Sequence, residues 1–201
     1  MRKPTLLLAL LLPAGVSGLA AQTTYYARLG AIGASNLLRD IVVNEITVRQ
    51  SIAPMLALGG SLPIGARGYR AGLEGTLASG KFHSSERGSE TDLGTIRTAT
   101  IMLQFDGPMY RALRWQAGLG GIQYWPKDKA GIFREGGTFR FLAGAGIDYR
   151  RPVMPKWDLM TSLRYDWHRF STAELEQRGF SQTQGVSRVS LSVGLSRSVV
   201  P

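Results

Sequence analysis

The sequence contains no cysteine and only two histidines. Without cysteine no disulfide can staple an exported fold, so stability must come from a large core or from a sheet closed on itself. Two well-separated histidines and no thiolate give no transition-metal ligand set, and no cofactor is implied. Long apolar runs are missing as well. Beyond the first twenty residues none approaches the ~20 that a membrane-spanning helix requires. Acidic residues are few, 14 against 24 basic, for a formal net charge of +10. The arginines are scattered one or two per run instead of gathered into a patch, which argues against nucleic acid as a partner. Acidic lipid phosphates or internal ion pairs suit that charge better. There is no repeat of propeller or solenoid length and no low-complexity linker, so a single domain is expected.

The N-terminus has a distinct character. Arg2 and Lys3 precede a short apolar run from Thr5 to Val16, and small residues follow up to Ala20 and Ala21. A basic start, an apolar stretch too short to span a bilayer and a small-residue end make a secretory signal peptide. The expected organisation is therefore a signal peptide over 1–21, removed after Sec-type export, and one domain over 22–201. Loss of Arg2 and Lys3 lowers the formal charge from +10 to +8.

Period-two alternation fills the remainder. Phe139 to Tyr149 places Phe139, Phe141, Ala143, Ala145, Ile147 and Tyr149 on one face, and Arg140, Leu142, Gly144, Gly146 and Asp148 on the other. Such a period marks a strand whose two faces meet different surroundings. Seven further runs show it: Thr24–Ala34, Ile46–Leu58, Tyr69–Lys81, Gly94–Phe105, Leu113–Trp125, Trp157–Phe170 and Val186–Val199. Each is close to the length a tilted strand needs to cross a membrane. Pro54 disturbs the second run, because proline offers no ladder donor. Twelve of the 25 glycines fall inside these runs, which disfavours helix there. Three connections are compact and rich in Pro or Gly. The other four, Ser35–Glu45, Phe82–Leu93, Lys127–Thr138 and Ser171–Gly185, are longer or more polar. Short turns at one end and longer loops at the other is the asymmetry of an outer-membrane barrel. The fold class is read as all-β, an eight-stranded antiparallel up-and-down transmembrane β-barrel.

Two arrangements fit the alternation. A soluble barrel would bury Phe139, Phe141, Trp115, Leu163 and Tyr165 and hold an apolar ligand. A membrane barrel turns them to lipid, and tryptophans and tyrosines near the run ends fit interfacial girdles. The second reading is preferred. It sends Arg28, Arg49, Arg70, Arg114, Arg140, Arg164 and Arg188 inward with Glu74, Asp148, Asp158, Asp166 and His168. An eight-stranded interior is just wide enough to be filled by side chains, so a plugged polar core is expected, not an open pore. His168 is read as a member of that network before a proton-transfer group.

In its alternating runs and turn asymmetry the chain resembles the small eight-stranded outer-membrane barrels, such as the OmpA transmembrane domain, OmpX and OmpW. The resemblance spans the mature chain and lies in pattern alone. One departure is the ending Val199-Val200-Pro201, where those barrels usually carry an aromatic residue. The resemblance implies a monomer in the cell outer membrane, in contact with outer-membrane lipid and lipopolysaccharide. Its role would be structural or surface-interacting, with loops reaching host or envelope components. OmpW adds the alternative of a small channel for apolar molecules. A second alternative comes from His83-Ser84-Ser85-Glu86, which is similar to the His-x-Ser of PagL-like lipid A deacylases. That similarity implies His83 as base, Ser85 as nucleophile and Glu86 or Glu90 as orienting carboxylate. The plainer reading of the same residues is a solvated external loop.

Overall fold

The computed structural model describes residues 22–40, 46–65, 67–86, 89–127, 131–133, 137–177 and 184–199, so the expected signal segment 1–21 lies outside the described residues. The strands are β1 (Thr23–Ala34), β2 (Leu38–Asp40), β3 (Ile46–Gln50), β4 (Ala53–Ile64), β5 (Tyr69–Glu86), β6 (Ser89–Tyr110), β7 (Leu113–Pro126), β8 (Phe139–Met154), β9 (Trp157–Phe170) and β10 (Gln184–Val199). A 3-10 turn at Gly131–Phe133 and a short helix α1 (Ala173–Gln177) accompany them. Neighbours run β5-β4-β1-β10-β9-β8-β7-β6, and β6 pairs back onto β5, so eight strands close into an antiparallel barrel. β2 and β3 extend the first two staves of the ring at the loop end, where β3 pairs with both β2 and β5.

The start of β1 and the end of β10 lie at the same rim, since Thr23 pairs with Val199. The tight turns are also there. Arg111 (φ 49°) and Lys156 (φ 67°) take left-handed backbone in the two-residue hairpin loops 111–112 and 155–156. At the opposite rim β5 and β6 continue to Glu86 and Ser89, so the expected polar loop 82–93 is mostly strand. Backbone pairing persists through polar residues there, past a shift between Lys81 and His83.

The exterior decides between the two barrel arrangements. Leu29, Leu58, Leu73, Leu77, Ile101, Leu119, Leu163 and Leu191 are all exposed, and Phe141 is 84% exposed. Their strand neighbours Arg28, Glu74, Arg164 and Asp166 are buried. Leaving this apolar band in water would forgo on the order of 25 cal/mol per Å² of it. Only a hydrocarbon surrounding makes the band favourable, so the barrel is a transmembrane one.

One inward assignment is corrected. Arg49 is exposed, and so is Ser51. Gln50 pairs with Phe82 and Met55 with Ala78, all four facing inward, so five steps on one strand oppose four on its neighbour. That extra residue at Ser51–Ile52 is a bulge, and it reverses the parity of everything before it. Pro54 sits just after the bulge, at the start of β4, where the β4–β5 ladder has not yet resumed.

Candidate functional site

The interior divides into three zones along the barrel axis. The central zone is an alternating chain of ions contributed by β1, β5, β6, β7, β8 and β9. Glu74 on β5 accepts from Arg28 on β1, from Arg164 on β9, from the Tyr26 hydroxyl at 2.9 Å and from Thr76 Oγ1 at 3.3 Å. Arg164 also pairs with Asp166, Nε–Oδ1 2.8 Å and Nη2–Oδ2 3.0 Å. Arg28 reaches Asp148 at 3.6 Å, and Gln116 donates to Asp148 Oδ1 at 2.9 Å. The chain continues through Arg150 to Asp148 (3.1 Å) and Asp106 (3.5 Å), and ends with Arg114 on Asp106 (2.6 Å). Asp166, Glu74, Asp148 and Asp106 thus alternate with Arg164, Arg28, Arg150 and Arg114. Along this chain four carboxylates face four guanidiniums, which offsets the cost of removing them from water.

Close backbone approach makes room for it. A Cβ on Gly59 would lie 2.3 Å from the Tyr26 ring, and one on Gly144 would lie 2.1 Å from Asp166 Oδ1. Each glycine pairs directly with the residue whose side chain fills its space. These glycines therefore act as seats for the inward polar groups.

The loop-end zone is apolar, which corrects the expectation of a polar interior throughout. Phe82, Ile96, Ile122, Tyr124, Leu142 and Phe170 turn inward there and are buried. Phe133 of the 3-10 turn and Leu175 of α1 close over them. The Tyr124 hydroxyl lies 2.7 Å from His168 Nε2, and the Tyr124 ring packs edge-on against Phe170. Beneath this plug Arg188 is buried and donates to Thr98 Oγ1 at 3.2 Å. Arg140 sits at the loop rim, donating to the Ser171 carbonyl and to Glu176.

The turn-end zone is an open basic mouth. Arg70 donates to Ser61, Thr24 and the Gln22 carbonyl, and Arg114 donates to the Gly68 carbonyl at 2.6 Å. Asp158 lines the same mouth and is half-buried. Asp106 and Arg150 were missed in the sequence because the runs were ended at Phe105 and Tyr149, one residue short of each. Continuing the period-two parity would have found both.

His83 and Ser85 lie two apart on β5, half-buried, with Asp92 paired across from His83 and Glu90 across from Ser85. No hydrogen bond joins His83 to Ser85 among the described residues. The Glu86 side chain lies outside them. Among the described residues no cluster of His, Cys, Asp or Glu could hold a metal ion.

No protein-family model matches the chain, and no curated protein matches it by sequence. Solved structures do match in shape. The outer membrane protein AlkL in DMPC lipid bilayers is similar with TM-score 0.60 and 12% identity, over 94% of this chain and 96% of that one. OprG from Pseudomonas aeruginosa gives TM-score 0.54 at 12% identity, over 90% and 97%. Neisserial surface protein A gives 0.52 at 12%, over 88% and 97%. At that identity the likeness establishes the fold, a small outer-membrane-type barrel, and no more.

Proposed function

We propose, from the fold shared with small outer-membrane barrels, that this chain is a monomeric outer-membrane protein with a closed interior that works through its outer surfaces. One observation carries the reading. Glu74, Asp148, Asp166, Met102, Ile122 and Tyr124 all point into the lumen at different heights, and each is at most 1% exposed. A water-filled passage would leave surface on its lining, so the burial of these residues supports a lumen without a path for ions. Function then rests with the rims. Above the apolar band at the loop end, Arg49, Lys81, Arg97 and Arg169 point outward, near the exposed Trp125 and Trp167. Cations beside interfacial aromatics suit the phosphates of lipopolysaccharide, and the loops beyond them are free to meet envelope or host components.

Planar-bilayer recording of the refolded protein tests the closed interior. The expected result is a silent membrane at protein loads where open barrels conduct. Steady unit currents would overturn it and favour a channel. A lipid A hydrolase is the second reading, supported by His83 and Ser85 on one side of β5. It requires a wild-type-dependent change in lipid A mass that Ser85→Ala abolishes; unchanged lipid A in wild-type cells ends it.

A further inference from the structure

The basic charge of the chain is unevenly distributed along the barrel axis. At the turn end lie Arg67, Arg70, Arg111, Arg114, Arg150, Arg151, Lys156 and Arg197. The acidic groups near them are Asp106, Asp148 and Asp158. Among the described residues, eight cations against three anions leave an excess of five at this rim. Asp106 and Asp148 are already engaged in the ion chain by Arg114 and Arg150, so they face inward from the mouth. Along the central ion chain the pairing is one for one.

Part of that excess converges on a concavity. A cavity of about 320 Å³ opens at the mouth, lined by Arg70, Arg111, Arg114 and Arg150 with Asp158 and Ser198. Three of the four guanidiniums are held in place by other contacts. Arg70 is fixed by Ser61 and Thr24, Arg114 by Asp106 and the Gly68 carbonyl, and Arg150 by Asp148 and Asp106. Arg111, in the hairpin turn, lines the cavity as well, and its guanidinium lies over the Tyr110 ring. A guanidinium carries five donors, and these contacts use only some of them. The ordering entropy of Arg70, Arg114 and Arg150 is therefore already met by the fold, which favours a tetrahedral oxyanion over a diffuse counter-ion cloud.

The geometry assigns a phosphate-group-binding site to the turn-side mouth, formed by Arg70, Arg111, Arg114 and Arg150. Both free phosphate and the phosphorylated headgroup of a lipid in the leaflet at that rim present this chemistry. Asp158 and the Thr24–Ser198 hydroxyl pair on the opposite wall can accept from, or donate to, a protonated or hydroxyl-bearing ligand. The site does not depend on whether the barrel conducts.

Isothermal titration of the folded protein in a zwitterionic detergent, with inorganic phosphate and with glycerol 3-phosphate, tests the site. Saturable binding of one equivalent is expected, weakening as salt is raised. Arg111→Ala and Arg70→Gln should each weaken binding by about tenfold, the loss expected for one charge-assisted hydrogen bond. Arg111 lies outside the ion chain, and unchanged heat-modifiable gel migration will show that its variant folds. Tighter binding of glycerol 3-phosphate identifies a headgroup as the ligand; equal binding identifies free phosphate. Absence of saturable binding to either compound overturns the site. So does binding that both variants leave intact.

Discussion

Glu74 is the carboxylate on which the interior depends most heavily. It sits 1% exposed and accepts from Arg28, Arg164, Tyr26 and Thr76. Glu74→Gln keeps the shape and removes the charge. Two guanidiniums, buried to 2% and 6% exposure, then lose their shared counter-ion. Breaking one buried pair by removing a partner costs about 3–5 kcal/mol. The cost is not doubled here, because Arg164 retains Asp166 at 2.8 Å and Arg28 retains Asp148 at 3.6 Å. A loss of about 3–5 kcal/mol is therefore expected, two to four orders of magnitude in the folding equilibrium. The control is Glu176→Gln, which breaks the exposed Arg140–Glu176 pair and should cost no more than about 1 kcal/mol. Reversible urea unfolding in lipid vesicles, followed by tryptophan fluorescence, measures both. Equal and small losses for the two variants would refute the account of a tightly coupled ionic core.

Three further substitutions probe separate parts of the barrel. Gly144→Ala places a methyl 2.1 Å from Asp166 Oδ1, so unfolding titration should show a loss of about 1–3 kcal/mol, whereas Gly33→Ala, with no atom nearer than 4.0 Å, should fold like wild type. Tyr124→Phe leaves His168 Nε2 without its 2.7 Å partner in a buried site, and the same assay should read a loss of about 1–3 kcal/mol. Leu119→Arg puts a charge halfway along β7 at a 70% exposed position of the lipid-facing band and should cost about 2–4 kcal/mol in bilayers; a neutral result would argue that the band does not meet lipid.

Period-two alternation carries far in this sequence because barrel strands have one repeating constraint. Phe141 and Leu163 must face hydrocarbon, and Asp148 and Arg164 must not, so their order along the chain is diagnostic. The eight staves, the lipid-facing set and the rim assignment of turns were legible for that reason. Arg49 was misplaced because a single bulged residue at Ser51–Ile52 inverts parity, and nothing in composition distinguishes a bulge from a regular step. The apolar plug was illegible for a different reason. Phe82, Ile96 and Phe170 are apolar residues at inward positions, and only closure of the ring shows that they meet one another instead of lipid. Pairing inside the core lies beyond any single strand as well. The partners of Glu74 come from β1 and β9, which are distant in sequence and meet it across the lumen.

The absence of cysteine allows a direct test of the inside-out arrangement. Single cysteines at Leu163 and Leu191 face outward, and at the adjacent Ser162 and Ser192 inward. Fluorophores attached at Leu163→Cys and Leu191→Cys before folding should be quenched by brominated acyl chains once the barrel enters vesicles. Ser162→Cys and Ser192→Cys should resist a water-soluble maleimide until urea unfolds the chain. Rapid labelling of Ser162→Cys and Ser192→Cys in the folded protein, or no bromine quenching at Leu163→Cys and Leu191→Cys, would contradict a closed, ion-filled barrel with its apolar face in lipid.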